Sequence, residues 1–138
     1  MKTEYKINEP ITTEQFIELL NNSTLGERRP TEDKECMAGM ISNSNLTVSA
    51  WENKMLVGIA RSVTDFHYAC YLSDLAVRKK HQKCGIGKQL QILIQKQLGP
   101  KCKLILIAAP AANQYYEHIG FAHNPRCWVL DPASNISN

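Results

Sequence analysis

The ten residues Tyr68 to Val77 carry aromatic and aliphatic side chains on both parities, run straight into a basic, glycine-bearing loop, and are followed by an amphipathic helical pattern. A strand that is apolar on both faces belongs in the interior of a sheet covered from both sides. This stretch alone therefore demands several strands and helices to pack on them. The rest of the chain supplies both. Thr12 or Thr13 caps a predicted helix bearing Phe16, Ile17, Leu19 and Leu20, which Asn21, Asn22 and Ser23 end. Pro30 at a first-turn position, with Thr31 ahead of Glu32 and Asp33, predicts a second helix through Met37, Met40 and Ile41. Leu46, Val48 and Ala50 then alternate with polar residues, Glu52 to Lys54 reads as a turn, and Met55 to Val63 is β-rich, which makes an antiparallel hairpin.

After the basic loop, Leu90, Ile92, Leu93, Ile94 and Leu98 follow a helical spacing that Gly99 and Pro100 stop. Lys103 to Ala108 reads as a short buried strand, Ala111 to Ile119 as a helix ended by Gly120, and Cys127 to Leu130 as a last strand. The order α α β β β α β α β specifies an α/β or α+β sheet with helices on its faces. At 138 residues the chain fits one domain. It is expected to span residues 1–133, with 134–138 as a flexible tail.

Composition removes several function classes. The longest apolar stretches are strand-sized, and Met1 to Lys6 has no apolar export segment, so the expected location is the cytoplasm with no membrane partner. Five cysteines, an odd number with no C-x-x-C pair and no histidine at zinc-finger spacing, predict neither a disulfide framework nor a metal site. A net charge of +3 is too mild for a nucleic-acid partner. Its distribution is more informative, because Arg78, Lys79, Lys80, Lys83 and Lys88 fall within one short segment that has no acidic residue.

That segment is where chemistry is expected. The first turn of a helix has backbone N–H groups without internal partners and the positive end of the helix dipole, so it favours a phosphate. Glycine lets a ligand approach the backbone closely. Two familiar phosphate loops fail on spacing. A G-x-x-x-x-G-K-[ST] loop would need glycine where Gln82 stands and a hydroxyl where Gln89 stands; a G-x-G-x-x-G fingerprint would need glycine at Leu90. The pattern that remains, Gln82-Lys83-Cys84-Gly85-Ile86-Gly87, resembles the Q/R-x-x-G-x-G/A motif of the GNAT superfamily of N-acetyltransferases. LSDLAV (residues 72–77) looks like that family's fourth strand, and AANQYYEHIGF (residues 111–121) resembles its A-x-x-F-Y-x-x-x-G-F segment. Together these elements cover about half the chain, Tyr68 to Phe121.

The resemblance implies a mixed, mostly antiparallel central sheet flanked by helices, with splayed fourth and fifth strands. It implies that pantetheine of acetyl-coenzyme A lies in the splay against the backbone of Leu75, Ala76 and Val77. The pyrophosphate would lie on Gln82, Lys83, Cys84, Gly85, Ile86, Gly87 and Lys88, mainly through main-chain N–H groups. Tyr116 matches the family's catalytic tyrosine, which protonates the departing thiolate, and a backbone N–H near Leu75 would hold the oxyanion. Asp74 is either the base that deprotonates the amine or a structural acceptor within the sheet, with Asp65 and His67 in reserve. Many relatives place a coenzyme-contacting asparagine where this chain has Ala109; Asn113, nearer the tyrosine, is the candidate substitute. Acceptor recognition in the family resides mainly in the first two helices, here Thr13 to Ser44, and Arg61 and Asp65 are candidates to extend it. The implied function is acetyl transfer from acetyl-coenzyme A, with no metal, to a primary amine of a small molecule in preference to a protein or peptide amine, by a monomer or homodimer. A non-catalytic acetyl-coenzyme A sensor on the same fold is the alternative.

Overall fold

A computed structural model describes residues 2–137. The chain divides into two compact units, 1–107 and 108–138. The first contains β1 (Glu4–Ile7), α1 (Thr13–Asn21), a 3-10 turn (Gly26–Arg28), α2 (Lys34–Ser42), β2 (Leu46–Glu52), β3 (Met55–Thr64), β4 (Ala69–Val77), a second 3-10 turn (Lys79–His81), α3 (Ile86–Lys96) and β5 (Lys103–Ile105). The strands form one sheet in the order β1-β2-β3-β4-β5. All neighbours pair antiparallel except β4 and β5, which are parallel. This is the mixed, mostly antiparallel sheet that the resemblance implies, and β4 is an interior strand as its two apolar faces require.

Each side of the sheet has its own core. Leu46, Val48, Ala50, Val57, Ala60, Cys70 and Leu72 pack with Ile86, Leu90 and Ile94 of α3. Phe16, Leu19 and Leu20 of α1 and Met37 of α2 pack with Trp51, Leu56, Ile59 and Ala76. The amphipathic spacing of α1 and α3 thus does what it predicts. Gly58 allows α3 to sit close, since a Cβ there would meet Ile86 Cγ2 and Leu90 Cδ1 at 3.2 Å. At the head of α1, Thr12 and Gln15 form a reciprocal capping box, Thr12 Oγ1 accepting from Gln15 N at 3.1 Å and Gln15 Oε1 from Thr12 N at 2.9 Å.

Several expectations shift. β1 has no counterpart in the sequence reading; it is four residues long and only partly buried, too short for a period to show. Its presence makes Ala69–Val77 the fourth strand. Pro30 precedes α2 rather than opening it, because Asp33 is the cap, accepting from Cys36 N at 3.0 Å. β5 stops at Ile105, short of Ala108.

In the second unit the predicted helix 111–119 breaks into a 3-10 turn (Pro110–Ala112) and α4 (Tyr115–His118). Cys127 to Leu130 is not a strand. These residues have no ladder partner among the described residues, and Trp128 is 91% exposed. Their β-rich side chains cannot form a strand without a neighbour to complete its hydrogen bonds.

Candidate functional site

Pairing between β4 and β5 covers only Ala69 to Tyr71, against Lys103 to Ile105. From Leu72 to Val77 β4 has β3 on one side and no β5 partner on the other. Which backbone groups face that open side follows from the ladder. Arg78 N donates to Val57 O at 2.8 Å, and Ala76 lies opposite Ile59 and Asp74 opposite Arg61. Antiparallel pairs alternate between bonded and non-bonded, so Ala76 and Asp74 turn their main chain toward β3. Leu75 and Val77 turn theirs to the open edge. The expectation that all of Leu75, Ala76 and Val77 face the slot is therefore corrected at Ala76, whose main chain is committed to β3.

A β-bulge interrupts this stretch. Arg61 pairs with Asp74 and Ser62 with Leu72, which leaves Ser73 as the extra residue. Behind it, Asp74 is 1% exposed. Its two carboxylate oxygens accept from Arg29 Nε at 2.6 Å and Arg61 Nε at 2.5 Å. Arg29 Nη2 also donates to Ser73 O at 2.8 Å, and Arg61 Nη2 to Ser73 Oγ at 3.0 Å. Of the two roles open to Asp74, the geometry corrects the base and favours the structural acceptor: the carboxylate is shut from solvent and clamped by two guanidiniums. Asp65 is also occupied, its Oδ1 accepting from the N–H groups of His67, Tyr68 and Ala69 at 2.8 to 3.0 Å. Those bonds, Tyr68's first, hold its carboxyl below the usual range.

The strand leaves the sheet through a tether. Arg78 is buried and donates to both oxygens of Glu18 in α1, Nη2 at 2.6 Å and Nη1 at 2.8 Å, and to Leu56 O at 2.7 Å. The fork lowers the Glu18 carboxyl and raises the Arg78 guanidinium. One of the five basic residues in this segment is thereby withdrawn into the structure. Lys79, Lys80, Lys83 and Lys88 are exposed. Gln82 is a strut, its Nε2 donating to Val77 O at 3.0 Å and its N–H to Lys79 O at 3.4 Å. Cys84 is exposed, its thiol donating to Gln82 O at 3.5 Å.

The loop turns through two residues of positive φ, Lys83 at +65° and Gly85 at +83°. Gly85 is the N-cap of α3 and has no side chain to cap it. The first backbone bond of the helix runs from Gln89 N to Gly85 O at 3.0 Å, so the N–H groups of Ile86, Gly87 and Lys88 lie ahead of the intrahelical ladder. A Cβ on Gly85 would meet nothing within 4 Å, which leaves open space above these donors. Ile86 fixes the turn from beneath, buried among the α3-side core residues. N–H groups ahead of the helical ladder, a helix start and exposed lysines are a combination that favours an anion.

The second unit holds Tyr116 and Asn113. Tyr116 is half-buried in edge-to-face contact with Tyr115 (ring centroids 5.2 Å) and Phe121 (5.4 Å). Phe121 N donates to Tyr116 O at 2.9 Å, and Gly120, at φ +103°, makes the reversal possible. Burial first, then Tyr115, pushes the Tyr116 phenol above its ordinary value. Asn113 is exposed, with its N–H on Pro110 O at 3.4 Å.

The family model of the acetyltransferase (GNAT) domain matches residues 13–126. The chain belongs to the GNAT acetyltransferase family. An uncharacterized N-acetyltransferase, ycf52, of Gracilaria tenuistipitata var. liui is 30% identical over 115 residues, 79% of this chain; the chain spans 62% of that relative's length. Among solved structures, a probable acetyltransferase of unknown function from meticillin-resistant Staphylococcus aureus superposes with a TM-score of 0.75 at 21% identity, over 99% of this chain and 98% of the other. The PaiA N-acetyltransferase of Thermoplasma acidophilum, solved with coenzyme A, superposes with a TM-score of 0.65 at 19% identity, over 88% and 91%. This GNAT chain thus shares its fold with proteins that differ from it at most positions.

The sequence gives no sign of the Arg78 to Glu18 fork, the Gln82 strut or the pairing of Arg29 with Asp74. Separations of 60 residues for the fork and 45 for Arg29 and Asp74 leave no local signal.

Proposed function

We propose that this GNAT protein is an acetyl-coenzyme A-dependent N-acetyltransferase that acts on a primary amine of a small molecule by direct transfer. The observation that carries the reading is the continuity of an open β4 edge with an anion cradle at the head of α3. A strand edge offers N–H and C=O groups to an extended, amide-bearing arm, as in β-augmentation. The cradle beyond it suits the pyrophosphate at the end of that arm.

In this reading the N–H groups of Ile86, Gly87 and Lys88 hold the pyrophosphate, with Lys83 and Lys88 adding charge. Gln82 and Ile86 fix the loop from the sides of β4 and the core. Leu75 and Val77 bind the pantetheine amides, and the Leu75 N–H stabilises the oxyanion that forms as the amine attacks the thioester. Tyr116 is the acid: its phenol is protonated at neutral pH and donates its proton to the sulfur as the thiolate forms. Asp74 holds the bulge in place, and the amine reaches the site already neutral or loses its proton to water.

Calorimetric titration with acetyl-coenzyme A, followed by measurement of coenzyme A release against a panel of amines, tests the proposal. Binding with release is expected. No heat and no thermal stabilisation at millimolar ligand would refute both binding and catalysis. Asp74→Asn separates the two roles of that residue. As a clamp it should cost about 3 to 5 kcal/mol of stability, because two guanidiniums lose their charge partner. As a base it would lower turnover and leave the melting temperature unchanged.

A further inference from the structure

Two guanidiniums share the single carboxylate behind the β4 bulge. Asp74 and Arg61 are sealed, with side chains 0% and 6% exposed, and Arg29 reaches them from the segment after the first 3-10 turn at 23% exposure. The remaining partners are neutral. Arg61 Nη1 donates to Ser44 Oγ at 2.8 Å and Met40 O at 3.2 Å, its Nη2 to Ser73 Oγ, and its Cζ lies 5.8 Å from the Phe16 ring centroid. Arg29 Nη1 donates to Arg28 O at 2.9 Å and its Nη2 to Ser73 O. Among the described residues, Asp74 is the only carboxylate that pairs with either arginine. The cluster therefore holds one positive charge more than its acid cancels, at the bulge where β4 has just parted from β5.

The donor inventory sharpens this. A guanidinium has five N–H groups, one on Nε and two on each terminal nitrogen. The three bonds of Arg29 use one on each, so among the described residues one N–H on Nη1 and one on Nη2 remain. They belong to a residue already locked by its other bonds and still partly open to solvent. Remaining donors on a guanidinium held in place are suited to a carboxylate.

We propose that the acceptor of this enzyme is a small amine that also bears a carboxylate, that Arg29 receives this group, and that polycationic amines are poor acceptors. The inference rests on the N-acetyltransferase reading of the site. The excess charge acts twice. It attracts the carboxylate, and it disfavours the ammonium form of the amine, which must shed its proton before attack. A polyamine brings further ammonium groups toward the same cation and gains nothing in return.

Matched acceptors test this: an α-amino acid, its carboxamide, and a diamine of similar length. Each is assayed for turnover with saturating acetyl-coenzyme A, and for binding to the protein already loaded with coenzyme A. The acid should exceed the amide by about tenfold or more in kcat/KM, the gain expected of one charge-assisted contact, with the diamine lowest. The gap should narrow as salt is added. Arg29→Gln should bring acid and amide to within about twofold, a difference below 1 kcal/mol. Arg29→Lys should keep part of the preference. Equal handling of acid and amide by the wild type, or a preference for acid that survives Arg29→Gln, overturns the proposal. The wild-type comparison decides even where Arg29→Gln fails to fold. Coenzyme A release with the amide or diamine alone would sink the carboxylate assignment and leave the N-acetyltransferase reading standing. Carboxylate-dependent binding without any release would do the reverse.

Discussion

The Gln82 to Lys88 loop, proposed to hold the coenzyme, and the Tyr116 segment carry motif matches of similar length, yet they are built in different ways. The loop is held from afar: Ile86 is buried in the sheet core, Gln82 is bonded to β4, and Arg78 just before it is forked onto α1. The tyrosine segment is held locally, by a backbone bond from Phe121 to Tyr116 and by rings within five residues of one another. In the proposed function the first arrangement makes the main chain the functional object, since its donors are useful only in one backbone conformation. In the same proposal the second makes a side-chain hydroxyl the functional object. Substitutions should therefore damage binding in one region and turnover in the other.

The strongest way to break this contrast is Gly85→Glu. A side chain on a residue at φ +83° strains the turn, and its charge and bulk enter the open space above the helix donors. Acetyl-coenzyme A affinity should fall by about a thousandfold, a loss of some 4 kcal/mol, as read by calorimetry. Unchanged affinity would show that the phosphate site lies elsewhere. Next is Tyr116→Phe, which should lower kcat by about a hundredfold, within the usual range for loss of a general acid, while coenzyme affinity changes little. A parallel loss of affinity would erase the distinction between the regions. Gln82→Ala should weaken coenzyme binding by roughly fivefold, about one net hydrogen bond, with kcat preserved.

The smallest effect is spectroscopic. Burial raises both the Tyr116 and the Tyr5 phenols. Their preference for the neutral form leaves stability intact below the unfolded value near 10, and that stability is lost as pH rises through the folded values. An alkaline absorbance titration should show late ionisation of Tyr116 and Tyr5, and Tyr116→Phe should remove the Tyr116 part of it. A high-pH absorbance step that Tyr116→Phe leaves unchanged would show that the Tyr116 ring is not shielded.

How much of this was legible depended on range. The hairpin, β4, α1 and α3 were readable because each displays its period within its own length. The loop was readable because glycine, charge and helix start fall within seven residues. β1 is too short to show alternation, and Cys127 to Leu130 has strand-forming residues without the partner that a strand requires. Within the site, Asp74 could be named but not assigned, since its role depends on Arg29, 45 residues away, and on Arg61 across the ladder. Ala76 was misread for a similar reason. Only the register against β3 tells which amides face the slot.

That register should also be visible in isotope exchange. Without ligand, the amides of Asp74 and Ala76, committed to β3, should trade hydrogen for deuterium slowly, while those of Leu75 and Val77 should trade quickly. One strand would thus record its two edges as an alternation of slow and fast along four consecutive residues. A molecule seated in the gap would slow only the fast pair, so its presence could be read without any knowledge of what it is.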